Sequence, residues 1–110
     1  MAGWTRVALA ADLGPGQCRS VVAEGTRIAV FNVDGTLHAI EDRCTHDDGQ
    51  LTGGGLEGDV VVCPRHGARF CVKTGKALTP PAYEDVPVFP VRIEAGFVEV
   101  RDPRWDGLDD

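Results

Sequence analysis

The 110-residue sequence contains no apolar run that approaches the roughly 18–20 residues needed to cross a bilayer as a helix, so a membrane partner is not expected. It is short of positive charge. Eleven Lys and Arg against 17 Asp and Glu leave a formal charge of −6. A small acidic domain repels phosphate backbones, which argues against nucleic acid and favours a basic docking face on another protein. Export signals are missing as well. Met1 to Ala11 has only a short apolar patch after Arg6 and meets Asp12 at once, so a cytoplasmic location is expected. Histidine is scarce at three residues, and that number limits any chemistry that consumes imidazole ligands. Helical periodicity is also lacking, since apolar residues nowhere recur at three-to-four spacing over a helical length.

What is present alternates with period two. Trp4–Ala10 reads as a first strand, and Asp12-Leu13-Gly14-Pro15-Gly16 as a turn. Gln17–Val22, Arg27–Val33 and Leu37–Ile40 are further strands, the last two joined by an Asp34-Gly35 hairpin signal. From Glu41 to Gly58 apolar residues thin out and glycines stand at 49, 53, 54, 55 and 58. A loop this long inside a compact domain calls for a function. Val60-Val61-Val62 within Asp59–Cys63 and then Ala68–Val72 form short strands, with Lys73-Thr74-Gly75-Lys76 turning back towards Ala77 and Leu78. Thr79-Pro80-Pro81-Ala82 cannot lie mid-sheet, because proline donates nothing to a ladder. Val86–Ile93 resumes the alternation, Glu94-Ala95-Gly96 turns, and Phe97–Arg101 closes it with Val98 and Val100 on one face. The expectation is one all-β domain over 1–110, an antiparallel sandwich or small barrel, with a polar tail at 102–110.

The four cysteines divide into two kinds. In the cytosol, paired cysteines hold metal more often than they form disulfides. Cys44-Thr45-His46 and Cys63-Pro64-Arg65-His66 stand sixteen residues apart and put a thiol and an imidazole on each of two segments. These are the strongest metal-binding side chains, given twice in near-repeated form. A structural zinc ion accepts two Cys and two His. Its usual spacing nonetheless puts two or more residues in the first pair and sets the motif on a hairpin and helix. The other candidate is a two-iron, two-sulfide cluster with two Cys on one iron and two His on the other.

The residues from Leu56 through Gly67, together with Cys44-Thr45-His46, Arg69-Phe70, Thr74-Gly75-Lys76-Ala77 and Pro80-Pro81, resemble a Rieske domain. Over about 4–101 the chain looks like a small bacterial Rieske-type ferredoxin. The resemblance implies that Cys44 and Cys63 bind an inner iron and that His46 and His66 bind an outer iron near the surface. The cluster-binding part would span about 42–82, with Pro80-Pro81 in a third loop packed over it. With neutral imidazoles such an oxidised cluster is formally neutral, whereas four thiolates would make it more negative, so these centres are easier to reduce than plant-type ferredoxins. Relatives of high potential carry an extra cysteine in each ligand loop and Ser and Tyr hydroxyls beside the sulfurs. At the matching places this chain has no cysteine and has Ala68 and Phe70 instead. Asp47 and Asp48 add negative charge beside His46. All of this predicts a potential in the lower part of the Rieske range.

The function implied is one-electron transfer between a flavin-dependent reductase and a terminal oxygenase or other oxidoreductase, through the edges of His46 and His66, with no catalysis by the chain itself. A catalytic oxygenase would need two more histidines and a carboxylate for a mononuclear iron, and only His38 remains. The small subunit of a nitrite reductase-like enzyme is an alternative of similar fold, although that branch often lacks the four ligands. Cys18 and Cys71 read as small buried apolar residues in strands, His38 as a surface or satisfied histidine, and Gly53-Gly54-Gly55 as turn residues, since no Lys-Ser or Lys-Thr follows them. Trp4 and Trp105 need only packing or tail-anchoring roles.

Overall fold

A computed structural model describes residues 3–23, 25–45, 49–64, 67–80, 82 and 84–103. Among these the chain is built of β-strands, with one 3-10 turn at Ala10–Asp12 and no α-helix. β2 (Cys18–Ala23), β3 (Thr26–Val33), β4 (Thr36–Glu41) and β8 (Val88–Phe89) form a four-stranded sheet in that order. β1 (Thr5–Leu9), β10 (Phe97–Val100) and β9 (Val91–Glu94) form a second sheet, and β5 (Leu56–Glu57), β6 (Val60–Val62) and β7 (Arg69–Cys71) a third. Every pairing between these strands is antiparallel.

The Asp-Gly signal is realised as expected. Val33 pairs with Thr36 across a two-residue turn in which Asp34 (φ 53°) and Gly35 (φ 93°) are both left-handed. This is the conformation whose twist matches that of the flanking strands. Asn32 braces the turn, accepting from the Gly35 N–H at 2.7 Å and donating to the Leu13 carbonyl at 2.8 Å.

β3 organises the packing because it is buried on both faces. Ala29, Phe31 and Val33 enter one core with Ile40, Leu51, Val61, Phe70 and Val72. The alternate residues Ile28 and Val30 enter a second core with Leu13, Ala39, Phe89, Val98 and Val100. Period-two alternation sends successive side chains to opposite faces, so one strand serves both cores and reads as a continuous apolar run. The four-stranded sheet therefore separates a core shared with β6 and β7 from one shared with β10.

Two expectations change. The Val86–Ile93 run is not one strand. Pro90 divides it into β8, which pairs with β4, and β9, which pairs with β10. Pro90 has no N–H for a ladder and sits where the chain passes from one sheet to the other. Within the stretch expected as loop, Leu56–Glu57 forms a short strand on β6, because Leu56 packs against the first core.

Candidate metal centre

Cys44 follows β4 and Cys63 follows β6. Their side chains are 0% and 1% exposed, neither is in a disulfide, and both belong to the core shared with Leu51, Phe70 and Val72. The segments that follow them close in the same way. The Cys44 N–H donates to the carbonyl of Gly49 at 2.7 Å, and the Cys63 N–H donates to that of Ala68 at 2.7 Å. In each case the acceptor lies five residues on, so each cysteine forms the base of a small closed loop. Gly67, with φ 74°, supplies the left-handed residue that brings the second loop back, its N–H bonded to the Cys63 carbonyl at 3.0 Å.

His46 and His66 fall inside these two loops and lie outside the described residues, as do Asp47, Asp48, Pro81 and Trp105. Among the described residues no group of three or more His, Cys, Asp or Glu gathers in one place. What is described is the thiol half of the expected site. The donor chemistry of that half fits a thiolate-bound iron: two cysteines carried into one apolar core at the bases of matching loops.

Other contacts hold the segments flanking the two loops to each other and the first loop to the proline segment. Gly54 lies directly against the backbone carbonyl of Val62, the residue before Cys63, and the Val62 N–H bonds the Gly55 carbonyl at 2.9 Å. Thr45 Oγ1 donates to the Glu84 carbonyl at 2.8 Å. Past Pro80, Ala82 and Val86 are buried in the same core as the two cysteines. Val86 is locked to Gly75 by its N–H at 2.8 Å, and Asp85 accepts from the Ala77 N–H at 2.8 Å. Ala68 and Phe70 are fully buried beside the cysteines and offer no side-chain hydroxyl.

The remaining candidates separate. Cys18 in β2 and Cys71 in β7 are only half-buried, because each lies on a strand of which one face is partly open. The Cys18 thiol points at the Thr52 carbonyl, 3.9 Å away. Burial raises its pKa, the Asp42 charge raises it further, and Arg19 partly offsets both. His38 sits half-buried in β4, and its Nε2 has no hydrogen-bond partner among the described residues. Burial lowers its pKa, Lys73 adds to the effect, and Asp59 opposes it. Trp4 stacks under Arg92, whose guanidinium carbon is 4.2 Å from the ring centre. Asp42 escaped the sequence analysis. It is a fully buried acid two residues before Cys44. Nothing in the sequence marks it, since a buried carboxylate reads like a surface one.

Comparison with known proteins follows the same lines. A profile of the Rieske [2Fe-2S] domain matches residues 3–90. The biphenyl dioxygenase ferredoxin subunit of Pseudomonas sp. (strain KKS102) is 42% identical over 92 residues, covering 83% of this chain and 84% of that protein. The 3-phenylpropionate/cinnamic acid dioxygenase ferredoxin subunit of Escherichia coli (strain K12) is 50% identical over 70 residues, 63% of this chain and 66% of the relative. Among solved structures, a chain from the complex of reduced oxygenase and oxidized ferredoxin in carbazole 1,9a-dioxygenase superposes with a TM-score of 0.83 at 40% identity. It covers 88% of this chain and 91% of that one.

Proposed function

Because the chain belongs to the Rieske [2Fe-2S] domain family, we propose that Cys44, His46, Cys63 and His66 hold its cluster and that it carries single electrons from a flavin-dependent reductase to a terminal oxygenase. The observation that carries this assignment is the pair of buried thiols at the bases of two loops closed by the same backbone hydrogen bond. The relatives are named as dioxygenase ferredoxin subunits, and one neighbour comes from a complex of oxygenase and ferredoxin. The chain is accordingly a component of an oxidoreductase system and not itself the catalyst.

When bound, a [2Fe-2S] cluster held by two Cys and two His would supply a one-electron couple at a potential above that of plant-type ferredoxins. The chain's own residues set its surroundings. Cys44 and Cys63 would anchor the inner side, where Leu51, Phe70 and Val72 exclude water. His46 and His66, on the loops beyond the cysteines, would face the partner. The cluster-binding part falls within about residues 42–82. No helix among the described residues is long and apolar enough to cross a membrane. The reading places the carrier in the cytoplasm, where thiols stay reduced.

Electron paramagnetic resonance before and after dithionite tests the assignment. The oxidised protein should be silent, and the reduced protein should give a rhombic signal with average g below the free-electron value. Replacing His46 or His66 singly should abolish or convert that signal. A colourless, zinc-containing protein, or full retention of the native spectrum in both histidine variants, would refute it.

A further inference from the structure

Electron carriage assigns no part to Asp42, yet it is fully buried and surrounded by donors. Its Oδ1 accepts the backbone N–H groups of Leu51 at 2.7 Å and Thr52 at 3.0 Å. Its Oδ2 accepts Ser20 Oγ at 2.7 Å, Thr52 Oγ1 at 3.0 Å and Gln50 Nε2 at 3.2 Å. No Lys or Arg pairs with it among the ion pairs of the described residues. Every one of these five contacts is a donor to the carboxylate, so neutral dipoles take the place of the lost water.

The placement of these donors is specific to the first ligand loop. That loop leaves the sheet at Cys44 and is closed by the Cys44 N–H on Gly49. Asp42 stands before its start and grips Gln50, Leu51 and Thr52 immediately after its end. Ser20 ties the same carboxylate to β2, and the Asp42 N–H ties its backbone to the Arg27 carbonyl at 2.8 Å. One residue, through its backbone N–H and its side chain, therefore fixes both feet of the loop to the main sheet. By chain reach alone its Cα lies within about 7 Å of that of Cys44.

We propose that Asp42 is the positioning residue of the first cluster-binding loop, stapling its return to the sheet, and that its fixed negative charge beneath the loop holds the electron couple at lower potential. The inference rests on Cys44 and His46 being ligands, as argued above. The electrostatic part follows from Coulomb's law in a poorly polarisable interior, where a nearby negative charge opposes an added electron.

Two variants of the full chain separate staple from charge. Asp42→Asn keeps an oxygen for the Leu51 and Thr52 N–H groups and removes the charge, while Asp42→Ala removes both. We expect Asp42→Asn to keep slow hydrogen exchange at the Leu51 and Thr52 amides and wild-type iron content, with the midpoint potential shifted in the positive direction. Asp42→Ala should lose protection at both amides and lose cluster. Equal midpoints in wild type and Asp42→Asn would overturn the electrostatic part. Wild-type amide protection in Asp42→Ala would overturn the staple. A role confined to general stability would lower the melting temperature of both variants while leaving midpoint and g values untouched, and that result also overturns the proposal. If the wild-type protein took up no cluster, the carrier reading would fail together with the electrostatic part, and the amide comparison would still decide the staple.

Discussion

Three adjacent glycines, Gly53, Gly54 and Gly55, occupy similar sequence and very different surroundings. A methyl group added at Gly54 would overlap the carbonyl oxygen of Val62, lie 2.8 Å from its carbon and press on Pro64 Cδ at 3.3 Å. At Gly53 it would meet only Pro64 Cγ at 3.7 Å, and at Gly55 nothing within 4 Å. None of the three has a left-handed φ, so alanine at each differs only in what it touches. The obstacle at position 54 is backbone, held in place because Val62 is paired in β6 and bonded to Gly55. Relief requires the segment that follows the first ligand loop to move away from β6 and Pro64. Overpacking of this kind costs about 1–3 kcal/mol, and at roughly 4–8 °C per kcal/mol for a domain near this size Gly54→Ala should melt on the order of 10 °C below wild type. Gly55→Ala should be neutral or stabilising by about 0.4–1 kcal/mol, through the unfolded chain. Gly53→Ala should resemble wild type. Thermal melts followed by circular dichroism, with iron determined in parallel, would decide. If Gly54→Ala and Gly55→Ala melt together and bind equal iron, the close approach of Gly54 to β6 is refuted.

The midpoint potential should lie near the low end of the Rieske range, about −150 mV, since Ala68 and Phe70 offer no hydroxyl in the core that holds the cysteines; a spectroelectrochemical titration with a clearly positive midpoint would refute this. The Cys18 thiol, raised above its ordinary value of 9.0 by burial and Asp42, should react with iodoacetamide at about pH 8 more slowly in the folded protein than in urea, and equal rates would contradict the assigned surroundings. His38 has a folded-state pKa below its ordinary 6.5, so the fold favours the neutral ring. That contribution is present above the unfolded pKa and is lost as pH falls through the lowered folded value. The stability of a His38→Gln variant should therefore fall less steeply on acidification below about pH 6.5 than that of wild type, and parallel denaturation curves would argue against it.

The thiol and imidazole pairs were legible because ligand chemistry demands particular residue types at short spacing, and no packing argument is needed to see Cys44-Thr45-His46 and Cys63-Pro64-Arg65-His66 as a pair. The all-β character was legible too, since period-two alternation and the Asp34-Gly35 turn are local properties of the chain. The partition of the strands was not. Val86–Ile93 alternates only loosely around Pro87 and Pro90, and which neighbour takes each half, β4 or β10, is decided by tertiary pairing. Asp42 and Gly54 were invisible for a related reason. A buried carboxylate has the same letter as a surface one, and a turn glycine the same letter as one pressed on a carbonyl. What distinguishes them is the arrival of Ser20, Leu51 and Thr52 around the first and of Val62 against the second. The sequence by itself thus offered the two thiol and imidazole pairs and dictated that strands would carry them. The tertiary structure alone decided how the two loops are locked together, because that locking depends on contacts between residues distant along the chain.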